Sequence, residues 1–314
     1  MEERKTIYLC LAHMSETGEE QKYVKEAFDT NWVVPLGPNV NGFEDDLKAF
    51  VSKNSDGSEL SREVVALSAG TAAVHLGLLA SGIGPGDEVC VQSFTFCASS
   101  HPITYLGATP VFIDSEPDSW NMDPELLEKA IIDRKEKTGK YPKAIVPVAL
   151  YGMPYDCDKI MAISEKYGIP VVEDAAEGCG SRWKGQVLGT FGKFGVLSFN
   201  GNKMITTSGG GALICQDAES KNNVMWYATQ ARDAYPYYQH TAIGYNYRMS
   251  NVCAGIGRGQ MTVLEDHIAH HKHVQELYKE LLKDVEGVTL HEAPNADYDS
   301  NYWLCTVRSG TRCT

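Results

Sequence analysis

One stretch of the sequence decides the fold assignment: Phe194-Gly-Val-Leu-Ser-Phe-Asn-Gly-Asn-Lys-Met-Ile-Thr-Thr-Ser-Gly-Gly-Gly-Ala-Leu-Ile214. Two short apolar runs flank a polar turn rich in glycine, which predicts a strand, a tight connection and a second strand. A single lysine, Lys203, lies in the connection. The glycines at 209–211 permit backbone conformations and close approaches that a side chain would block.

Lys203 is a candidate nucleophile. Desolvation between apolar strands favours the neutral form of an amine, and a neutral amine can attack a carbonyl carbon. A lysine that forms a Schiff base with pyridoxal phosphate (PLP) needs such an environment. The alternative is an ordinary surface lysine on a hairpin. The PLP interpretation requires three further features in the chain: a cradle for the phosphate, an aromatic ring that stacks on the cofactor, and a carboxylate for the pyridine nitrogen.

The overall composition excludes several classes of protein. The 314-residue chain carries a net charge of −13, which argues against a nucleic-acid partner because no basic stripe is offered to a phosphate backbone. No apolar run approaches the length that spans a bilayer, so no membrane partner is expected. The N-terminal sequence lacks the apolar core of a signal peptide, which predicts a cytoplasmic location.

From residue 63 onwards short apolar runs alternate with helical patterns. The predicted strands are 63–68, 88–92, 109–114, 144–150 and 169–173, and the predicted intervening helices are 72–80, 96–105, 126–137 and 159–167. This alternation is typical of an α/β fold with a mostly parallel central sheet and helices on both faces.

Ser250 is predicted to cap a helix that runs to about Lys283, long enough to bridge to a second, smaller domain. The predicted division is an N-terminal segment with a large domain at 1–250, and the bridging helix with the start of a small domain at 251–314. Four histidines lie on this helix: His267, His270, His271 and His273. Without carboxylates placed to complete a site, we interpret them as a solvated helix face and predict no metal site.

A phosphate cradle is predicted at Ser68-Ala-Gly-Thr-Ala-Ala73, where a strand ends, a glycine turns and a helix begins. The first amides of a helix are unpaired, and the helix dipole favours an anion there. Gly70 and Thr71 would supply N–H groups, with a hydroxyl from Thr71. Ser198, close to the lysine in sequence, could add another hydroxyl. Many α/β proteins have a similar junction, so this signal is weak by itself.

The aromatic ring and the carboxylate are predicted at the ends of two other strands. Phe96, in Ser93-Phe-Thr-Phe96, is the candidate for stacking on the cofactor, and core packing is the alternative. Asp174 directly follows an apolar strand, at the edge where α/β proteins bind ligands, and could hold the pyridine nitrogen protonated. Glu177 lies close enough to touch the cofactor or the substrate amine. Acids at strand ends can also bind Mg²⁺ with a nucleotide, but the chain has no Walker A motif or full Rossmann fingerprint.

Together these segments closely resemble the DegT/DnrJ/EryC1/StrS sugar aminotransferases, which are PLP enzymes of fold type I. The resemblance covers residues from about 8 to 265. It is carried by Ser68-Ala-Gly-Thr-Ala-Ala73, Ser93-Phe-Thr-Phe96, Pro110-Val-Phe-Ile-Asp114, Glu173-Asp-Ala-Ala176, Ser198-Phe-Asn-Gly-Asn-Lys203, Thr207-Ser-Gly-Gly-Gly211 and Gly244-Tyr-Asn-Tyr-Arg-Met-Ser-Asn251.

The resemblance implies that Lys203 is the catalytic lysine of a PLP-dependent aminotransferase that takes an amino group from glutamate. Within the family, the chain is most similar to enzymes that aminate nucleotide-linked 4-keto-6-deoxy sugars and make UDP-4-amino-4,6-dideoxy-N-acetylglucosamine for bacillosamine. The resemblance also implies a homodimer in which Asn246 of one subunit reaches the cofactor phosphate of the other. From the sequence, a loop packed within one chain is the alternative for Asn246.

The C-terminal part departs from the family pattern. Members usually continue for tens of residues, so the small α/β domain is expected to be truncated. Residues 301–304 fit a family strand, but the residues after them do not match the usual continuation. This departure keeps open a non-catalytic PLP-binding or regulatory relative. A more distant alternative is another fold-type-I lyase.

Overall fold

The computed structural model describes Thr6 and residues 11–310. The helices of this part are α1 Glu19–Asp29, α2 Pro38–Val51, α3 Gly70–Ala80, α4 His101–Tyr105, α5 Pro124–Thr138, α6 Cys157–Tyr167, α7 Ala218–Ala228, α8 Asn251–Met261 and α9 Leu264–Leu282. The strands are β1 Glu63–Leu67, β2 Glu88–Gln92, β3 Thr109–Ile113, β4 Ala144–Val146, β5 Val172–Asp174, β6 Arg182–Trp183, β7 Gln186–Val187, β8 Phe194–Ser198, β9 Gly211–Cys215, β10 Val288–Leu290, β11 Tyr298–Asp299 and β12 Val307–Ser309.

The main sheet has the strand order β3-β2-β4-β5-β8-β9-β1. Parallel bridges from Ile145 to Val171 and from Val148 to Asp174 join its two groups of strands. Only β9 in this sheet runs against its neighbours, because it returns from β8 through the tight connection that carries Lys203. The predicted mostly parallel α/β sheet is confirmed.

Both faces of the main sheet are buried. Alternate residues of β1 belong to different hydrophobic clusters: Val64 and Ala66 to one, Val65 and Leu67 to the other. The first cluster includes the apolar faces of α2, α5 and α6, whereas the second includes α3 and α7. Successive side chains of a strand point to opposite faces, so a strand that is apolar throughout needs a helical layer on each side.

Parallel strands place their carboxyl ends at one edge of the sheet. In this protein β1 leads there into Ser68 and Gly70, β2 leads into the loop of Phe96, and β5 ends at Asp174. The strand β8 ends at Ser198 on the same edge, just before the connection with Lys203. The sequence segments that carry the candidate chemistry therefore converge at this edge.

Several predicted elements are shorter than expected. The strand predicted at 144–150 ends at Val146, because Pro147 has no N–H to continue the ladder. The helix predicted at 96–105 is a single 3₁₀ turn followed by α4, which begins at His101 with Pro102 in its first turn, the position that proline tolerates.

The long C-terminal helix is also divided. Ser250 does cap α8, since its Oγ accepts a hydrogen bond from the Val252 amide. However, α8 stops at Met261, and α9 starts at Leu264 after a Thr262-Val263 break in which Val263 has non-helical dihedrals. Two adjacent β-branched residues have low helix propensity, which suits a break at this point.

The segment after α9 forms small sheets: β10 pairs with β12, and β11 pairs with β6. The expected strand at 301–304 is instead irregular, because backbone amides of this segment bond to side chains rather than to a neighbouring strand. The amides of Asn301, Tyr302 and Trp303 donate to Ser181 Oγ, Ser300 Oγ and Asn301 Oδ1 respectively. Among the described residues, no helix has both the length and the apolar character that a bilayer crossing requires.

Candidate active site

A pocket of about 370 Å³ opens at the carboxyl edge of the main sheet. Seven of the eight residues that the sequence singled out line it: Gly70, Thr71, Phe96, Asp174, Glu177, Ser198 and Lys203. They come from four separate segments of the chain, which lie at or just after the ends of β1, β2, β5 and β8. The pocket thus brings together the amine, the carboxylate, the aromatic ring and the helix start.

Lys203 is not a surface lysine. Its side chain is only 13% exposed, and its Nζ lies 3.6 Å from Oε1 of Glu177. On another side the ammonium lies 4.0 Å from the centroid of the Trp303 ring, within the range of a cation–π contact. The amide of Lys203 donates to the carbonyl of Asn200, which closes the turn after β8.

The start of α3, where the sequence predicts an anion cradle, lines the pocket. Its first amides have no partner inside the helix, and the N-cap residue Ala69 gives them no side-chain cap. A Cβ added at Gly70 would lie 3.0 Å from Cβ of Ser198, so a larger residue would push the serine away from the helix start by a few tenths of an ångström. A Cβ at Gly211 would lie 2.4 Å from the Gly70 amide nitrogen, which explains one of the three consecutive glycines.

Asp174 is held by a short polar chain. Its Oδ2 accepts a 2.5 Å hydrogen bond from the Ser99 hydroxyl, and its Oδ1 accepts one from the Ala176 amide. The Ser99 hydroxyl also contacts that of Thr95 at 2.7 Å. These bonds fix the orientation of a buried carboxylate that lines the pocket. Sequence analysis missed Ser99, because nothing in the local pattern around it indicates contact with Asp174.

The two aromatic residues after β2 have different surroundings. Phe96 is 69% exposed and lines the pocket, so it is not a core residue. Phe94 instead contacts the rings of Trp120 and Tyr151, at centroid distances of 6.4 and 6.0 Å. The geometry therefore favours Phe96 over Phe94 as the ring that could cover a ligand.

The two glutamates near β5 also differ. Burial raises the pKa of Glu177, whereas the Lys203 ammonium beside it acts in the opposite direction. Oε2 of Glu177 accepts a 2.6 Å hydrogen bond from the Tyr151 amide. Glu173 faces away from the pocket and accepts hydrogen bonds from three amides, those of Gly189, Phe191 and Gly192. Glu173 thus holds a loop, and Glu177 belongs to the site.

Asn246 lies outside the pocket within one chain. It lines a neighbouring surface depression together with Ser68, Gly209 and Arg248. The amides of Tyr245 and Tyr247, on either side of it, donate to backbone carbonyls at the end of α7. Asn246 is therefore held at the rim, next to the cradle but not inside it.

Trp303 is the second residue that sequence analysis missed. It comes from the irregular C-terminal segment, is largely buried, and lines the pocket beside Lys203. Its indole Nε1–H donates a 2.6 Å hydrogen bond to the carbonyl of Asn202. No spacing in the sequence connects Trp303 to the lysine turn, so only the folded structure reveals the contact.

The donor set fits PLP. Helix amides and the Ser198 hydroxyl suit a phosphate, the Asp174 carboxylate suits a pyridine N–H, and the Lys203 amine suits an aldehyde carbon. The missing Cβ of Gly70 leaves the helix start open toward the Ser198 hydroxyl, which lines the same pocket. Fold and pocket together define a PLP-dependent enzyme of fold type I.

The chain belongs to the DegT/DnrJ/EryC1/StrS aminotransferase family, whose model matches residues 14–313. It is 46% identical over 96% of its length to EpsN of Bacillus subtilis (strain 168), described as a "putative pyridoxal phosphate-dependent aminotransferase", and covers 75% of that protein. It is 35% identical over 97% of its length to a GDP-perosamine synthase of Escherichia coli O157:H7, of which it covers 79%.

Solved structures agree with this assignment. A DegT/DnrJ/EryC1/StrS aminotransferase from Brucella abortus superposes with a TM-score of 0.86 at 31% identity, over 94% of this chain and 76% of that one. NtdA from Bacillus subtilis, solved with its bound cofactor PMP, superposes with a TM-score of 0.81 at 26% identity, over 95% of this chain and 64% of that one. The chain is thus a PLP-dependent transaminase of the sugar aminotransferase family.

Proposed function

We propose that this protein moves an amino group from glutamate to a nucleotide-linked 4-keto-6-deoxy sugar, in the synthesis of a surface polysaccharide or glycan. The observation that carries the proposal is the convergence of Lys203, Asp174 and the start of α3 on one pocket of about 370 Å³. The similarity to a GDP-perosamine synthase supports a nucleotide-linked substrate. The segments Leu11-Ala-His-Met14 and Asp29-Thr-Asn-Trp-Val-Val-Pro-Leu-Gly-Pro38 resemble those of enzymes that aminate nucleotide-linked 4-keto-6-deoxy sugars, which favours a UDP-linked substrate of the bacillosamine type.

Each residue of the pocket has a proposed role. The Gly70 and Thr71 amides and the Ser198 hydroxyl would bind the phosphate, and Phe96 would lie against the ring. Asp174, oriented by Ser99, would keep the pyridine nitrogen protonated. When bound, PLP supplies a ring that accepts electrons from the carbon next to the reacting nitrogen.

Lys203 would hold the cofactor and, once displaced by the donor amine, move the proton to and from the donor α-carbon as a general base and acid. Glu177 lies 3.6 Å from the Lys203 ammonium and would orient it between proton transfers. Trp303 covers another side of the same group and would keep bulk water from it. All of these proton transfers would thus use the Lys203 amine, whose position is fixed by Glu177 and Trp303.

We further propose a cytoplasmic homodimer. The position of Asn246 at the rim of the cradle is compatible with a role across a subunit interface, where it would reach the phosphate in the partner subunit. The proposed domains are 1–250, which supplies the residues predicted to hold the cofactor, and 251–314, which supplies α8, α9 and the segment of Trp303.

The proposal can be tested in two half-reactions. PLP-loaded protein is mixed with glutamate, and the proposal predicts conversion of the cofactor to its amine form with release of 2-oxoglutarate. A 4-keto-6-deoxy sugar linked to UDP or GDP should then restore the PLP spectrum and yield an amino sugar, identified by mass spectrometry. A regulatory protein would bind PLP without conversion, and a lyase would release pyruvate or ammonia; either outcome would refute the proposal.

A further inference from the structure

A second cavity, of about 50 Å³, lies next to the pocket and shares Asn202, Lys203 and Trp303 with it. The other titratable residues that line this cavity are four histidines: His13, His267, His270 and His271. Three of them belong to α9, where the sequence indicated only a solvated helix face. The structure instead places these three beside the amine that is proposed to carry the reaction.

The charged and titratable groups that line this cavity are Lys203 and the four histidines; no carboxylate is among its described lining residues. Glu177 contacts Lys203 but lines the main pocket. Among the described residues, no set of three metal-ligating side chains is placed to bind a metal ion. A wall of imidazoles and an ammonium without carboxylates is suited to an anion.

Two of the rings are fixed in orientation. Nδ1 of His267 lies 3.2 Å from the carbonyl oxygen of Met204, and Nδ1 of His271 lies 3.2 Å from that of Tyr302. Because a carbonyl oxygen only accepts, Nδ1 carries the proton in each ring, and a second proton would be added at Nε2. Burial and the other three histidines lower the pKa of His271, while the carbonyl of Tyr302 opposes this. An anion in the cavity would favour the protonated form.

The volume selects the kind of anion. One water molecule needs roughly 10–15 Å³ of such space, so the cavity has room for a group of a few heavy atoms. A carboxylate has this size, whereas the diphosphate of a nucleotide sugar is several times larger. The position beside Lys203 also matches the amino donor, whose nitrogen has to reach the carbon that the lysine amine leaves.

We propose that the cavity between α9 and the Lys203 turn is the subsite for a carboxylate of the amino-acid donor, with His267 and His271 as its ligands. This inference rests on the proposed transamination and adds the place where the donor is recognised. It also gives the α9 histidines a function other than contact with solvent. Either carboxylate of glutamate could occupy the subsite, and the experiment distinguishes the two.

The test measures the glutamate concentration that gives half-maximal conversion of the PLP-loaded enzyme. His267→Gln and His271→Gln keep a polar side chain but cannot take up a charge, so each is expected to raise that concentration about tenfold. His273→Gln is the matched control, because His273 is exposed on the same helix and does not line the cavity. In His267→Gln and His271→Gln the half-reaction with the keto sugar should be affected less than the half-reaction with glutamate, and in His273→Gln both should match the wild type.

Glutamine as donor identifies the carboxylate. If the variants weaken glutamate but not glutamine, the side-chain carboxylate occupies the cavity; if both donors are weakened equally, the α-carboxylate does. Either result supports the proposal. Unchanged glutamate dependence in His267→Gln and His271→Gln, or an equal effect of His273→Gln, would overturn it.

A binding measurement on the unmutated holoenzyme is independent of turnover. Glutarate, a dicarboxylate without an amine, should shift the imidazole NMR signals of His267 and His271 but not that of His273. No shift at saturating glutarate would also overturn the proposal. If no amino acid converts the wild-type cofactor, the proposed transamination fails, while the glutarate titration still decides whether the cavity binds a carboxylate.

Discussion

The Lys203 ammonium lies 4.0 Å from the centroid of the Trp303 ring, although the two residues come from distant parts of the chain. Trp303 in turn donates its indole N–H to the carbonyl of Asn202, the residue before the lysine. The C-terminal segment is thereby attached to the turn that presents the amine. Because this contact is buried, a change in the C-terminal segment is expected to alter the position of the Lys203 amine.

Trp303→Ala should therefore affect both stability and activity. Loss of a buried tryptophan is expected to lower the free energy of unfolding by about 3–5 kcal/mol. It should also slow conversion by glutamate, because Lys203 loses its aromatic neighbour, while Trp303→Phe should retain most of the rate. Trp183→Ala is the control: Trp183 is similarly buried but lies outside the pocket. The role of Trp303 would be contradicted if both alanine variants lost stability and neither lost rate.

Gly70→Ala should weaken cofactor binding. The added Cβ would lie 3.0 Å from Cβ of Ser198 and 3.2 Å from its Oγ, so the hydroxyl has to move away from the cradle. We expect the dissociation constant for PLP, measured by fluorescence titration, to rise about tenfold. Gly84→Ala provides the comparison, because a Cβ there meets nothing within 4 Å. Equal PLP affinity in the two variants would show that the start of α3 does not hold the phosphate.

Ser99→Ala should weaken the hold of Asp174 on the cofactor. The variant removes the 2.5 Å hydrogen bond to Oδ2, and a bond to a charged group is typically worth about 1.5–3 kcal/mol. A rise in the PLP dissociation constant of about tenfold is expected when part of this energy is lost. Ser100→Ala, which removes only a bond to the carbonyl of Cys97, should leave the affinity unchanged. An unchanged constant in Ser99→Ala would contradict the orienting role.

His75 should make stability depend on pH. This buried residue of α3 is surrounded by the rings of Tyr105, Tyr245 and Tyr247, and its Nε2 has no hydrogen-bond partner. Burial lowers the pKa of His75 below the ordinary value of 6.5, so the unfolded chain binds a proton more readily than the folded one. The folded state is therefore most stable above pH 6.5, where His75 is neutral in both states. This contribution to the free energy of unfolding is lost as the pH falls through the lowered pKa.

Urea unfolding of the wild type and His75→Leu at pH 8 and pH 5 measures this contribution. The wild type should lose more stability between the two pH values than the variant does. His101→Leu, at an exposed position, should behave like the wild type. If His75→Leu and the wild type show the same pH dependence, the buried imidazole is not the cause.

Much of the pocket could be predicted from the sequence, because each piece is local. A strand followed by Ser68-Ala-Gly-Thr71 places unpaired amides at a helix start, and a strand that ends in Asp174 places a carboxylate at the same edge. The parallel order of the strands then brings the pieces together without further information. The sequence predicts close approaches at the glycines 209–211, and the structure shows one of them at Gly211, which faces the Gly70 amide.

The remaining features depend on contacts between distant segments. Ser99 contacts Asp174, and Trp303 contacts Lys203, although each pair is far apart in the sequence. No local sequence pattern predicts such contacts. The histidines of α9 were interpreted as solvated because helical spacing does not reveal what the opposite wall contains. The break at Thr262–Val263 was missed since a continuous helical pattern extends through it, and β-branched residues disfavour a helix only weakly.

The most direct test of the central claim is to find which lysine binds PLP. The PLP-loaded protein is reduced with borohydride, digested and mapped by mass spectrometry, with Lys203→Ala treated in parallel. The structure predicts a single phosphopyridoxyl group on Lys203 and none in the variant, which should also lack the lysine-dependent absorption band. Label on another lysine, or equal labelling of the variant, would contradict the assignment of Lys203 as the catalytic residue.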